Sequence, residues 1–223
     1  MKKAVLPAVG LAVIMAFAGC DRNPLFFRMG SDYYPIDNIG SQWEYSIEGG
    51  GTLIVTVVDQ TEKGERACYR VLSGADYSYW ISNEGSLEFY EDHRVMFNGY
   101  EVPLYQAWVI WLDWPLTTGY IRTDSASTFA VSQGVTISHD WTRKSVVQGI
   151  ESSPDGSYDQ CYHIKQHETT INWIRATGFQ PETSVVHRDI WLAPDVGMVA
   201  MSSADTSMTV PTCAIGMPRS ACR

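Results

Sequence analysis

From residue 42 onward, apolar side chains recur at every second position, and small or turn-forming residues punctuate the runs. Gln42 to Glu48 sets Trp43, Tyr45 and Ile47 against polar neighbours until Gly49-Gly50-Gly51 breaks the pattern. Thr52 to Asp59 is largely β-branched, and Lys63-Gly64 turns the chain into Arg66 to Leu72. Tyr77–Ser82, Ser86–Glu91 and Arg94–Asn98 follow, with Asn83-Glu84-Gly85 and Asn98-Gly99 as turns. Further strands are predicted over Ser127–Ser132, Val135–Ile150, Tyr158–His167, Thr170–Arg175, Ser184–Leu192 and Met198–Ser203. Past the N-terminal segment no window of a dozen residues carries an apolar stripe of helical period. The pattern predicts an all-β protein, and an antiparallel one, because the connections are too short for parallel crossovers.

A weak internal duplication is also legible. The order Thr52–Val58, Gly64, Ala67-Cys68-Tyr69-Arg70-Val71 and Tyr79-Trp80-Ile81 recurs as Ser145–Ile150, Gly156, Gln160-Cys161-Tyr162-His163-Ile164 and Asn172-Trp173-Ile174. The Cys-to-Trp separation is 12 residues in both copies. Duplication and the chance likeness of two β-rich segments both account for it.

The N-terminus follows different rules. Met1-Lys2-Lys3 is a short basic stretch, and Ala4 to Phe17 is an apolar run of signal-peptide length, too short for the roughly 20 residues that span a bilayer. Phe17-Ala18-Gly19-Cys20 resembles the lipobox of bacterial lipoproteins, with Phe17 where leucine is commonest. That resemblance implies a signal peptide over 1–19, cleavage before Cys20 and acylation of Cys20. Two or three acyl chains would then anchor the chain to a membrane where a single chain would not. Asp21 resembles the inner-membrane retention signal of enteric bacteria, a rule that differs between phyla, so either envelope membrane fits. Residues 20–32 read as the lipidated cysteine and a short tether, and 33–223 as one β domain.

Composition changes the picture in one respect. The 223 residues carry 16 Lys plus Arg against 25 Asp plus Glu, a net charge of −9, and removing 1–19 leaves 204 residues at −11. Such an excess argues against nucleic acid and anionic lipid headgroups as partners, since both are held by basic patches. Setting Cys20 aside leaves Cys68, Cys161, Cys213 and Cys222, an even number that suits an oxidising compartment. Cys213 and Cys222 close a short loop and are the favoured disulfide, clamping the C-terminal tail. Cys68 and Cys161 either pair or stay as buried thiols.

Three short motifs carry a wider resemblance. Tyr33, Pro35-Ile36, Gly40, Trp43 and Tyr45 resemble the "YxPL…G…WxY" opening of a group of uncharacterised bacterial lipoproteins. Pro115-Leu116-Thr117-Thr118-Gly119 resembles their mid-chain turn, and Trp191 to Val199 resembles their closing "WxAPGVGMV", with Asp195 in place of glycine. The resemblance implies a strongly curved antiparallel sheet, a barrel or half-barrel distantly like lipoprotein carriers. It implies no catalytic residues.

Candidate chemistry is sparse. Cys161, His163 and His167 share one strand face, but His163 and His167 would lie roughly 13 Å apart, too far to share an ion. Asp92-His93 and His139-Asp140 are sequence neighbours, which point to opposite faces of a sheet. His187 and Asp189 share a face with no nucleophile near them in sequence. No metal or cofactor is expected, and no enzymatic motif occurs. The aromatic group Tyr105, Trp108, Trp111, Trp114 and Tyr120 is the most distinctive feature, readable as core or as a ligand wall. In a strand Trp108, Ile110, Leu112 and Trp114 face one way, with Val109 and Trp111 on the other. The sequence therefore predicts a lipid-anchored, non-catalytic envelope protein that binds an apolar ligand or envelope component, with Trp108, Trp111, Trp114, Tyr69 and Tyr162 as candidate lining residues. A protein-interaction module is the alternative, and an envelope hydrolase the third reading.

Overall fold

The computed structural model describes residues 34–176, 178–203 and the backbone of 207–209. Cys20, the tether, Tyr33, Cys213 and Cys222 lie outside the described residues, so the expected acylation and disulfide fall beyond them. The described residues form twelve strands, and every pairing among them is antiparallel. They are β1 (Gln42–Ile47), β2 (Thr52–Lys63), β3 (Arg66–Ser73), β4 (Asp76–Asn83), β5 (Ser86–Phe97) and β6 (Tyr100–Asp113). The second half holds β7 (Ile121–Ser132), β8 (Val135–Glu151), β9 (Cys161–Ile174), β10 (Glu182–Ala193), β11 (Gly197–Ser203) and β12 (Ser207–Thr209).

Two meanders, β1–β6 and β7–β11, make sheets of six and five strands, and the three-residue β12 pairs with β1 on one side and β11 on the other. The result is one curved sheet in the order β6-β5-β4-β3-β2-β1-β12-β11-β10-β9-β8-β7. Its two edges, β6 and β7, are consecutive in the chain and approach each other without pairing. This is an up-and-down half-barrel with a single seam, the curved antiparallel fold that the motifs implied.

Alternation explains most of these strands, and bulges explain where it misleads. The Asp92-His93 break predicted within β5 is a register shift between His93 and Arg94, and the strand runs through it. A second shift pairs Glu88 with Ile110 and Leu87 with Leu112, leaving Trp111 as the extra residue on β6. The bulge brings both Trp111 and Leu112 into the main core, which overturns the simple alternation expected along 108–114. The polar run Lys165–Thr170 also does not end a strand: β9 continues to Ile174 because β8 and β10 flank it on both sides.

The duplication looks different in three dimensions. The chain does divide into two meanders, but Cys68 and Trp80 lie on β3 and β4 across a turn, whereas Cys161 and Trp173 lie on one strand. Trp80 packs against the core and Trp173 is 38% exposed, so the equal spacing marks no shared position. Cys68 and Cys161 are both free, buried thiols. Burial pushes the Cys161 thiol up to about 12 and raises that of Cys68 as well, which makes both inert near neutral pH.

The main core fills the half-barrel around Trp43, Tyr45, Val57, Leu87, Ile164, Ile190 and Leu192. Trp43 Nε1 donates to the Val196 carbonyl at 2.6 Å, and the Tyr45 hydroxyl donates to the Met198 carbonyl at 3.0 Å. These two bonds carry β1 across to the β10–β11 hairpin. Between those strands Asp195 adopts φ 60°, a left-handed conformation that asparagine, aspartate and glycine tolerate best. That is the physical reason aspartate serves where the resembling motif has glycine. A smaller cluster of Phe97, Val102, Leu104 and Ile137 closes one end of the seam.

Candidate functional site

Inside the half-barrel lies a cavity of about 280 Å³, contributed to by both meanders. One side is apolar, formed by Trp80, Phe89, Trp111, Ile190, Met198 and Met201 with Tyr34. Trp80 and Trp111 meet edge to face at 5.4 Å, and Tyr34 stacks on Trp43 at 5.6 Å, which holds this wall rigid. The other side is polar, formed by Glu91, Arg143, Gln166, Glu168 and Arg188.

These polar residues occupy the interior because strand register places them there. Ile137, His139, Trp141, Arg143, Ser145 and Val147 alternate inward along β8. Arg143 stands directly opposite Glu168, and Ser145 opposite Gln166, which is itself opposite Arg188. Gln166 donates from Nε2 to Ser145 Oγ at 3.2 Å, and Arg188 Nη1 donates to Gln166 Oε1 at 3.1 Å and Glu168 Oε2 at 3.4 Å.

Arg143 is the centre of the charged wall and only 1% exposed. Its Nη1 donates to Glu91 Oε1 at 3.3 Å and its Nη2 to the Ile110 carbonyl at 3.2 Å, with Asp124 Oδ2 3.6 Å away. Its guanidinium lies about 5 Å from the rings of Phe89 and Trp141. Burial pushes the guanidinium downward in pKa while Glu91, Asp124 and Glu168 oppose the shift, and an arginine stays charged throughout. Arg143 Nε is buried with no protein partner among the described residues. The network continues over the seam. Arg122 binds Asp124 at 2.6 Å and Asp113 at 3.3 Å, and the Tyr120 hydroxyl donates to Asp113 at 2.7 Å. The Arg122–Asp113 ion pair thus links β7 to the end of β6 across the seam.

The structure scatters the aromatic candidates. Trp111 lines the cavity. Trp108 pairs with Tyr90 on the opposite face, donates from Nε1 to the Lys63 carbonyl at 3.1 Å and packs over Gly64. Gly64 has φ 53°, and a Cβ there would meet Tyr90 at 3.0 Å, so the turn needs glycine for both reasons. Tyr162 is buried in the main core, while Tyr69 and Trp114 are half-buried against it. The charged wall was missed in the sequence, since its members come from four strands 50 to 100 residues apart in places and no local spacing marks them.

The histidines separate into three environments. His163 stacks on Trp191 at 4.6 Å, with Glu151 3.0 Å from Nδ1 and Asp189 2.6 Å from Nε2. His167 meets His187 across strands, not His163. His139 is 1% exposed, with Nδ1 2.7 Å from Asn172 Oδ1 and its ring 4.8 Å from that of His93. Burial, reinforced by His93 and opposed by Asn172, holds its pKa below the ordinary 6.5. The unfolded chain therefore takes up a proton there first, and stability falls as pH drops below about 6.5. Urea midpoints are expected to decline between about pH 7 and about pH 5, and His139→Gln to flatten that slope. An unchanged slope in the variant would place the effect elsewhere.

Fold and cavity together define a twelve-stranded, up-and-down antiparallel half-barrel with a two-sided interior pocket. Comparison with family models, curated proteins and solved structures finds no match to this chain.

Proposed function

We propose that this chain is a membrane-anchored lipoprotein of the bacterial envelope whose half-barrel holds an amphipathic ligand without catalysing a reaction on it. The observation that carries the reading is the two-sided lining of the cavity, with aromatic and thioether side chains facing a wall of paired charges. At about 280 Å³ it lies near the lower end of ligand pockets, which run from about 300 to 1,000 Å³. That volume suits a ring or one short acyl segment bearing a polar group, not a whole phospholipid. Arg188, the more exposed arginine of the polar side, supplies guanidinium donors for an acceptor on such a group. Placement in the envelope rests on Cys20 and the lipobox-like residues before it.

Mass spectrometry of molecules that co-purify with the exported domain, freed of its acyl anchor, tests the proposal. The expected result is an amphiphile in near-stoichiometric amount, lost when Met201→Trp fills the cavity. A protein that purifies empty, or a Met201→Trp variant that keeps its cargo, would overturn the reading. One observation favours the alternative of a protein-interaction module. Met96, Tyr100, Phe129 and Val131 are each more than 60% exposed, and Asn98 bonds Gln133 at 3.0 Å between the two hairpin tips that carry them. An empty cavity and a partner lost on Phe129→Ser would support that module instead.

A further inference from the structure

The face of β8, β9 and β10 turned away from the core carries side chains that the cavity does not use. Lys144 stands opposite His167, and His167 stands directly opposite His187. The two Nδ1 atoms are 3.1 Å apart, with ring centroids at 4.4 Å and planes inclined by 60°. Both rings are exposed and edge a shallow concavity shared with Lys144, Lys165 and Asp189. The separation matters, because two nitrogens bound to one tetrahedral ion at about 2.0–2.1 Å stand about 3.3 Å from each other. The pair is already within a few tenths of an ångström of that arrangement.

A second contact sets the ring chemistry. Thr169 Oγ1 lies 3.2 Å from His167 Nε2. A hydroxyl oxygen accepting the Nε2–H leaves the lone pair of His167 on Nδ1, facing His187. With that tautomer of His167, the Nδ1–H of His187 is the donor into that lone pair in the metal-free pair. A cation that takes this position requires the single ring proton of His187 to move from Nδ1 to Nε2, a change of tautomer with no movement of either strand. β9 is flanked on both sides, so its backbone is well held.

We infer that His167 and His187 form a two-imidazole site for a borderline divalent transition ion of the copper(II), nickel(II) and zinc class, with water completing its shell. Imidazole nitrogen selects this class over magnesium and calcium, which take oxygen ligands. No group of three or more His, Cys, Asp or Glu residues is gathered for a metal among the described residues, so the site is open and exchangeable, not a structural one. Lys144 and Lys165 oppose a cation there, which favours the ion with the strongest intrinsic preference for imidazole, copper(II). The site is independent of the cavity and of any ligand within it.

Calorimetric titration of copper(II) into untagged full-length protein in detergent tests this, together with electron paramagnetic resonance of the copper form. One saturable site per chain and hyperfine coupling to two imidazole nitrogens are expected, with no displacement by magnesium. His187→Gln and His167→Gln are each expected to weaken binding by at least about tenfold and leave at most one coupled nitrogen. His163→Gln is expected to leave affinity unchanged, because that ring faces Glu151 and Asp189. Circular dichroism checks that each variant folds, and either histidine of the pair suffices for the test. Absence of saturable copper binding overturns the site. So does a two-nitrogen signal that survives both substitutions, or binding that depends on His163.

Discussion

Replacing Arg143 with methionine is expected to destabilise the domain by about 3–5 kcal/mol, read as a lowered urea midpoint at unchanged slope. The side chain is fully buried and touches the Ile110 carbonyl, Glu91 and Asp124, so it joins β8 to β5, β6 and β7 around the seam. Methionine fills much of the volume but removes the charge. Glu91 and Asp124 are then left with side chains only 14% and 13% exposed, and Glu91 loses its arginine. Glu91, left with only the His93 ring 3.2 Å from its other oxygen, then carries a largely buried charge without its arginine. This accounts for most of the penalty, since exchanging a whole buried pair for apolar residues is often nearly neutral. The double variant Arg143→Met with Glu91→Gln is accordingly expected to recover a substantial part of the loss. Asp124 keeps Arg122 at 2.6 Å and needs no such rescue. Arg143→Lys should recover little, because one ammonium cannot reproduce the divergent contacts of a planar guanidinium. A single methionine variant within about 1 kcal/mol of the parent would mean that water screens the network.

Trp43→Ala is the other change with a large expected effect, again about 3–5 kcal/mol. The indole is 1% exposed, stacks on Tyr34 and donates to the Val196 carbonyl beyond the end of β10. Among the described residues, backbone pairing between the two meanders runs through the three residues of β12, so this contact and that of Tyr45 share the work of joining them. Trp43→Phe retains most of the apolar area and should cost about 1–3 kcal/mol, for the unpaired carbonyl it leaves. Hydrogen exchange offers a second readout: amides of β11 and β12 are expected to lose protection before those of β8 and β9. Uniform loss over both meanders would show that Trp43 acts on the core as a whole and not on the junction.

The legible parts of the sequence were those with local causes. Trp43 and Tyr45 alternate with polar neighbours because β1 is buried on one face, and the same logic holds along β8, where even the charged Arg143 obeys the alternation. Turns at Gly64 and Gly99 follow from backbone conformations that glycine adopts freely. Bulges were not legible. Nothing near Trp111 in sequence reports that Leu87 will pair with Leu112, so the aromatic run could not be divided between core, cavity wall and outer face.

By itself, then, the sequence determined the β class and the antiparallel order of hairpins, because each depends on neighbours within a few residues. Only the tertiary structure decided what stands across from what. Register between strands put Glu168 opposite Arg143 and His187 opposite His167, and curvature brought Glu91 of β5 to Arg143 of β8 over 52 residues of chain. Pairing and curvature are settled by the burial of a whole sheet face at once, a quantity that no short stretch of residues contains.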